Sequence, residues 1–210
     1  MGGTGAGKST VAQLLSQRIG FPVCEVGHVV KQMYRSSLEK DLLQLYADDT
    51  MVQRQIEILL KNHGKEYFTN QRLRYTREMV RQSGNDYFVR HLLLHHRKEN
   101  LIIVGVRTNQ EVCAIRALRK HPYFVALQCN ADMLVNRFIE RERRYMEQHV
   151  AKNIFDKRYE SERDRGLTDV MIECDLLLNT DYISPEQLAD YILLGYSRFL
   201  IRQEPVIGGT

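Results

Sequence analysis

The feature that most constrains the fold of this chain is a glycine-rich stretch at its start. Residues 2–9 read Gly-Gly-Thr-Gly-Ala-Gly-Lys-Ser, which matches the pattern G-x-x-x-x-G-K-[ST] of a phosphate-binding loop, or P-loop. Glycines let successive backbone N–H groups turn inward and surround phosphate oxygens. The amphipathic run from Ser9 to about Ile19 predicts a helix whose N-terminus faces the same anion. An ordinary glycine-rich turn ahead of a helix is the alternative, and the complete motif favours the phosphate site.

The loop also predicts which ligands the chain binds. Lys8 is expected to contact the β- and γ-phosphates of a nucleotide, and the Ser9 hydroxyl is expected to ligate Mg²⁺. ATP and Mg²⁺ are therefore the predicted cofactors. The predicted nucleotide-binding residues are Gly2, Gly3, Thr4, Gly5, Ala6, Gly7, Lys8, Ser9 and Thr10.

A P-loop normally follows a buried β-strand, and here Met1 alone precedes the loop. We therefore expect the first strand to be truncated. Such a strand lies inside a parallel sheet with both faces covered. Its loss is expected to lower stability more than it alters the loop.

Composition narrows the class of protein. The 210 residues predict one domain over residues 1–202, followed by a flexible tail at 203–210. No apolar run reaches the length of a membrane span, and the four cysteines are scattered without a C-x-x-C pair. We therefore expect a cytoplasmic protein without a zinc site or disulfides. The net charge of +4 suits small anionic metabolites and is too weak to indicate nucleic acid.

Strand and helix patterns alternate along the chain, which predicts an α/β fold with a parallel sheet. Apolar runs predict strands at 23–26, 101–104, 123–128 and 174–178. Helical spacing predicts helices that include 38–60, 66–82, 87–97, 109–120, 131–148, 156–172 and 185–201, with a helix end at 62–64. The first of these is expected to be either continuous or broken near 48–50.

Several later segments carry a resemblance to a known family. Residues 21–31 (Phe-Pro-Val-Cys-Glu-Val-Gly-His-Val-Val-Lys) resemble a segment of archaeal dephospho-CoA-kinase-like proteins. Residues 103–107 (Ile-Val-Gly-Val-Arg) followed by Glu111 resemble another segment of that group and the D-V-R-x-x-x-E of phage deoxynucleoside monophosphate kinases. Arg137-Phe138, Arg141 and Arg143, then 162–164 and 174–179, are similar to the lid and last strand of the same group.

The family with these features is that of P-loop small-molecule kinases related to nucleoside monophosphate kinases and dephospho-CoA kinase. The resemblance implies a three-layer P-loop NTPase fold with a helical lid at about 137–166. It also implies ATP-dependent phosphoryl transfer to a small phosphorylated acceptor, either a nucleoside monophosphate or dephospho-CoA. A nucleotide-binding protein with little transferase activity is the alternative, in a regulatory or scaffold role.

Arginines supply the predicted catalytic cations beside Lys8. Arg107 follows a buried strand, where ligands bind in an open α/β sheet, so its guanidinium is expected to grip the acceptor phosphate. Arg137, Arg141 and Arg144 share one helix face and fit a lid that closes on the ATP phosphates. An ordinary solvated helix is the competing interpretation, because glutamates are interleaved with these arginines.

Acidic residues are scarce where the family places them. Val104 and Gly105 stand where an Asp or Glu is expected after the buried strand. Glu25 is the remaining candidate for a general base or a magnesium contact. The alternative is that Glu25 is an ordinary carboxylate at the end of a strand. Arg74, Arg77 and Arg81 share one helix face, and they are expected either to contact the acceptor or to have a structural role. His63, His95 and His96 have no carboxylate at ligand spacing and are expected to be surface or core histidines.

Overall fold

The computed structural model describes residues 1–46, 49–97, 99–143, 147–164 and 166–203. Helices and strands alternate through most of this length, as predicted. The helices are α1 Lys8–Ile19, α2 Val26–Tyr46, α3 Asp49–Ser83, α4 Tyr87–His95, α5 Asn109–Leu118, α6 Ala131–Glu142, α7 Gln148–Asp164, α8 Leu167–Ile172 and α9 Pro185–Gln203. The strands are β1 Val23–Glu25, β2 Ile102–Val104, β3 Val125–Gln128 and β4 Leu176–Asn179.

The strands form two parallel pairs within the described residues. β1 pairs with β2, with Glu25 opposite Val104, and β3 pairs with β4. Both pairs are parallel, so the predicted α/β fold with parallel strands is confirmed. Because parallel strands end at the same edge, Glu25 lies beside the segment that leads from β2 to Arg107.

A cavity of about 580 Å³ lies between the two strand pairs. Its walls include Ile103 of β2 and Val125 of β3, and helix α1 contributes Val11 and Leu15. Met1 lies at this cavity and is bonded to β3: its amino group donates to the Val125 carbonyl at 2.5 Å, and its carbonyl accepts from the Leu127 amide at 3.0 Å.

Two hydrophobic clusters hold the helices against the strands. One joins α1, α6, α7 and α9, and contains the buried side chains Val11, Phe138 and Phe155. The other joins α4 and α5 to the β1–β2 pair, with Val89 and Val112 at its centre. The P-loop lies beside the first cluster, since Ala6 is fully buried within it.

Three predicted helix boundaries are wrong. α3 continues through 62–64, because one glycine costs a helix only about 1 kcal/mol and this helix is 35 residues long. α6 ends at Glu142 instead of continuing to 148. The helix predicted at 156–172 is two helices, α7 and α8, and Gly166 between them has a φ of 79°, a left-handed conformation that ends a regular helix.

The ends of other helices follow the sequence signals. Gly20 closes α1 with a φ of 73°, and the Ser184 hydroxyl accepts from the Gln187 amide at the start of α9. Residues 204–210, most of the predicted tail, lie outside the described residues. Across the described ranges, no helix combines the length and the apolar character that a membrane crossing requires.

Candidate functional site

The P-loop packs tightly against neighbouring backbone, and this packing explains two of its glycines. Gly2 has a φ of 129°, and a Cβ atom there would lie 2.3 Å from the Leu127 carbonyl oxygen of β3. Gly5 has a φ of 91°, and a Cβ atom there would lie 3.0 Å from the Leu134 carbonyl oxygen of α6. Any side chain at these positions would push the loop away from β3 and α6, so the loop conformation depends on both glycines.

Lys8 is the electrostatic centre of the site. Its ammonium donates to the Gly3 carbonyl at 2.6 Å. Burial lowers the pKa of Lys8 to about 8. The negative charge of Glu162 raises this pKa and the positive charge of Arg107 lowers it, and Glu25 and Arg141 have the same two effects more weakly. Charged groups from four separate segments therefore act on one loop lysine.

Glu162 of α7 binds the loop directly. Its carboxylate accepts from the Thr4 backbone amide at 2.9 Å and from the Thr4 hydroxyl at 2.7 Å. The Arg107 guanidinium lies 3.5 Å from the same carboxylate, and the Glu162 side chain is 4% exposed. A buried anion held by a loop amide and near the loop lysine occupies the kind of environment that a phosphate group requires.

In the sequence, Glu162 lies in the segment 162–164 that carries part of the family resemblance, and no role is predicted for it. The residue is 158 positions from Thr4, so no local pattern could reveal the contact. The structure thus adds Glu162 to the site.

A cap motif fixes the backbone at Arg107. The Glu111 carboxylate accepts from the Arg107 amide at 2.6 Å and from the Thr108 amide at 2.9 Å, while the Thr108 hydroxyl accepts from the Glu111 amide. This capping box starts α5 directly after the arginine. Burial raises the pKa of Glu111, and the two backbone hydrogen bonds oppose the rise. The T-x-x-E pattern at 108–111 is the sequence signature of this capping box, although no cap was predicted from it.

The predicted lid arginines have different surroundings. The Arg137 guanidinium donates to the Thr180 hydroxyl at 3.1 Å and to the Thr180 carbonyl at 2.7 Å, and it also contacts the Cys129 sulfur. Arg141 lies over the Phe138 ring at 4.9 Å, pairs with Glu142 at 2.9 Å and acts on Lys8. Arg137 therefore ties α6 to the end of β4, while Arg141 lies toward the loop.

The contacts of Arg137 do not test its predicted role at the ATP phosphates, which stays a prediction. Arg144, the third residue of the predicted face, lies outside the described residues.

A second pocket, of about 740 Å³, lies between β1 and the helices α2, α3 and α4. Glu25 lines it and is exposed at the end of β1. The polar side chains around it include His28, Gln32, Ser36, Ser37, Lys40, Tyr75, His91, His95 and His96. Because Glu25 also acts on Lys8, it connects this pocket to the P-loop.

The arginines and the histidines singled out in the sequence differ in their position relative to this pocket. Among the described side chains of α3, Tyr75 lines it, and Arg74, Arg77 and Arg81 do not. His95 and His96 line it, while the side chain of His63 lies outside the described residues.

The start of α1 offers hydroxyl groups to a ligand. Ser9 and Thr10 are exposed in the first turn of the helix, where backbone N–H groups are free of intrahelical partners. The described residues contain no group of three or more His, Cys, Asp or Glu side chains that could hold a metal ion. A cation here would therefore depend on oxygen atoms that a bound ligand brings.

Comparisons with known proteins identify a family and several similar backbones. A family model described as an AAA domain matches residues 1–165. A search of curated proteins finds no match. Shikimate kinase from Aquifex aeolicus is 18% identical, with a TM-score of 0.43, over all of this chain and 97% of that chain.

Two further solved structures are similar at the same level. An uncharacterised protein from Eubacterium ventriosum is 16% identical, with a TM-score of 0.46, over 93% of this chain and 94% of that chain. Shikimate kinase from Bacteroides thetaiotaomicron is 15% identical, with a TM-score of 0.40, over 97% and 95%.

Proposed function

The chain belongs to the AAA domain family, and on this premise we propose that it is an ATP-dependent kinase acting on a small phosphorylated acceptor. One observation carries the proposal: the buried Glu162 carboxylate accepts from the Thr4 amide of the P-loop at 2.9 Å and lies 3.5 Å from the Arg107 guanidinium, which brings Arg107 to the loop that contains Lys8. Phosphoryl transfer needs positioning and cations near the developing charge more than covalent chemistry. A loop lysine flanked by two arginines supplies those cations.

The donor is proposed to be ATP with Mg²⁺. The loop already binds one anion, since the Thr4 amide donates to the Glu162 carboxylate, so the loop fits a phosphate group. Lys8 would hold the phosphates, and the exposed Ser9 hydroxyl would ligate Mg²⁺. Mg²⁺ retains several water ligands and commonly uses few protein oxygens, so a single hydroxyl is compatible with its binding. Arg141 is proposed to close over the donor.

The acceptor is proposed to lie in the pocket that Glu25 lines. Arg107 and Glu25 follow neighbouring strands, at the edge where open α/β sheets bind ligands. We propose that Arg107 orients the acceptor phosphate and that Glu25 acts as its general base or contacts magnesium through water. A nucleoside monophosphate and dephospho-CoA both carry the phosphate that this arrangement requires.

A nucleotide-binding protein with little transferase activity is the second candidate. Val104 and Gly105 occupy the positions where an acid is expected after β2, so these positions carry no carboxylate. Val104 is buried, and Gly105 has a φ of 96°. An acidic residue at position 105 would be strained in that conformation. If Glu25 does not replace this acid, ATP would bind and transfer would be slow.

A coupled assay of ADP release tests the proposal with a panel of acceptors, including nucleoside monophosphates and dephospho-CoA. One acceptor is expected to accelerate ADP release above the rate with ATP alone. Lys8→Ala should lower that turnover by about 10²–10³-fold, as expected for loss of one well-placed charge, with an unchanged circular dichroism spectrum. Normal ATP affinity without any acceptor-dependent turnover would favour the second candidate. Unchanged ATP affinity and turnover in Lys8→Ala would contradict both.

A further inference from the structure

A cysteine of β1 lies beside a histidine and a glutamate, away from the P-loop. The Cys24 sulfur is 3.8 Å from Nε2 of His96, and Nδ1 of His96 is 2.9 Å from the Glu99 carboxylate. The three groups thus form a thiol–imidazole–carboxylate chain that joins β1 to the segment after α4. A nucleophile within hydrogen-bond reach of a base, with the base oriented by a third group, is the arrangement that activates weak nucleophiles.

The carboxylate determines which imidazole nitrogen faces the thiol as a base. An ionised carboxylate only accepts hydrogen bonds, so Nδ1 of His96 carries a hydrogen and donates it to Glu99. In the neutral ring the lone pair then lies on Nε2, the nitrogen that contacts Cys24. His96 is therefore placed to accept the thiol proton, and Glu99 is placed to stabilise the imidazolium that forms.

Arg119, directly after α5, holds the backbone of the base and of the carboxylate. Its guanidinium donates to the His96 carbonyl, and to the Glu99 carbonyl at 3.3 Å. It makes two further hydrogen bonds, to the carbonyls of Arg97 at 3.0 Å and Leu93 at 3.4 Å. Because one side chain binds four carbonyls of this turn, the imidazole and the carboxylate are positioned beside the thiol before any ligand binds.

The surroundings of Cys24 make a base necessary. Burial raises the pKa of the Cys24 thiol, and the negative charge of Glu99 adds to the rise. The resting group is therefore a thiol, whereas the thiolate is the form that attacks other groups. A thiol of higher pKa is also the stronger nucleophile once it has lost its proton. Proton transfer to His96 is thus the step that controls the reactivity of Cys24.

Cys24 lines the pocket of about 740 Å³, which limits the molecules that can reach it. A volume of this size is typical of sites for small molecules. Helix α2 contributes Gln32, Ser36, Ser37 and Lys40 to the same lining, and these side chains can bind amide and carboxylate groups. A small peptide disulfide carries amide and carboxylate groups on both sides of its sulfur–sulfur bond, so its chemistry matches the pocket.

We propose that Cys24 is a thiol–disulfide exchange site, which forms a mixed disulfide with a small peptide disulfide bound in this pocket. His96 takes the proton of the Cys24 thiol, and the Cys24 sulfur attacks one sulfur of the bound disulfide. The sulfur–sulfur bond of the small molecule breaks as the new one forms, and the leaving thiolate takes the proton from His96. Cys24 is thereby oxidised, and half of the small disulfide is reduced and released as a thiol.

This chemistry goes beyond the proposed kinase function, because it holds whether or not the pocket accepts a phosphorylated molecule. The test uses the full chain and oxidised glutathione, and mass spectrometry locates and times the modification of each cysteine. In the native protein Cys24 is expected to react about tenfold faster than Cys113, since a general base contributes about 10²–10⁴-fold and partial burial offsets only part of that gain. Cys113 is exposed, so accessibility alone would give the opposite order. In urea-unfolded protein the two rates should converge.

Replacing His96 tests the base. His96→Gln should slow the modification of Cys24 by about 10²-fold, the low end of the range for a general base. His149→Gln is the matched control, because His149 also lies beside a glutamate, 3.3 Å from Glu147. His149 belongs to α7, none of whose described residues lines the pocket, so this variant should leave the rate unchanged.

Glu99→Gln provides a second test, which also applies if His96→Gln does not fold. Glutamine keeps an acceptor for Nδ1 of His96 but lacks the charge that stabilises the imidazolium, so modification should slow by roughly tenfold. Since Glu99 raises the pKa of Cys24, its removal would speed the reaction if the carboxylate acted on the thiol alone. Faster modification of Glu99→Gln, an unchanged rate in His96→Gln, or a native Cys24 no faster than Cys113 would each overturn the proposal.

Discussion

The P-loop side and the pocket side of Lys8 differ in how far internal contacts fix their side chains. On the P-loop side, Glu162 is buried and accepts hydrogen bonds from the amide and the hydroxyl of Thr4. On the pocket side, Glu25 is exposed and faces a space of about 740 Å³. The first side is preorganised for an anion by internal contacts, whereas the second depends on a ligand to complete it.

This difference separates stability from recognition. Side chains on the P-loop side and in α6 hold the fold together, so replacing them should change stability or donor binding. On the pocket side Glu25 is exposed, so replacing it should change acceptor chemistry with little effect on folding. Each prediction below tests one part of that division, beginning with the largest effect.

Replacing Arg107 should produce the largest loss of activity. Arg107→Ala is expected to lower kcat/KM for the acceptor by about 10²–10³-fold, because it removes the cation proposed to orient the acceptor phosphate. The backbone at this position should persist, since the Glu111 cap binds the Arg107 amide and not its side chain. Steady-state kinetics with varied acceptor would measure the effect, and thermal melting would check the fold. A loss confined to ATP affinity would show that Arg107 contacts the donor and not the acceptor.

Glu25→Gln should lower kcat by about 10²-fold, the low end of the range for a general acid or base. The substitution preserves size at an exposed position, so the melting temperature should stay constant. Glu186→Gln, at an exposed carboxylate in the first turn of α9, is the control and should leave kcat unchanged. Full activity of Glu25→Gln would show that a different group serves the acceptor.

Arg137→Ala should lower the stability of the fold. Thr180 is 2% exposed and loses its guanidinium partner in this variant, which is expected to cost about 1.5–3 kcal/mol of unfolding free energy. Arg143→Ala is the matched control, since Arg143 pairs with an exposed Glu140, and it should change stability by under about 0.5 kcal/mol. Denaturant unfolding would measure both. A fall in kcat for folded Arg137→Ala, with stability unchanged, would instead support the lid role predicted from the sequence.

The same division describes what the sequence could predict. The P-loop was predicted from residues 2–9, and the kinase-like family was recognised from later segments such as 103–107. The family match confirms the recognition, because each of these motifs is a short run of adjacent residues. The parallel pairing of the strands is confirmed for a similar reason, since apolar runs and their order were visible.

Contacts between segments that are distant in the sequence could not be predicted from it. Helical spacing placed Arg137 and Arg141 on one face, but it could not show that Thr180, 43 residues away, binds the first of them. Nothing near Thr4 indicated Glu162.

The smallest predicted effect concerns Glu162 and the charge of Lys8. Phosphate binding favours the ammonium form of Lys8, and the pKa of this group in the free protein is about 8. Donor affinity should therefore be constant well below pH 8 and fall as the pH rises through that value. Because Glu162 raises the pKa of Lys8, Glu162→Gln should move this fall to lower pH.

Below the transition, the same substitution should strengthen donor binding. A carboxylate near bound phosphates repels them, and removing about 1.4 kcal/mol of repulsion gives a tenfold change in affinity. Calorimetry with an ATP analogue at pH 6.5 and pH 9 would measure both effects, with Glu160→Gln, at an exposed position of α7, as the control. Weaker binding of Glu162→Gln at pH 6.5 would mean that the carboxylate helps the loop to hold phosphate by fixing Thr4. The P-loop side would then require its internal anion even when the nucleotide is bound.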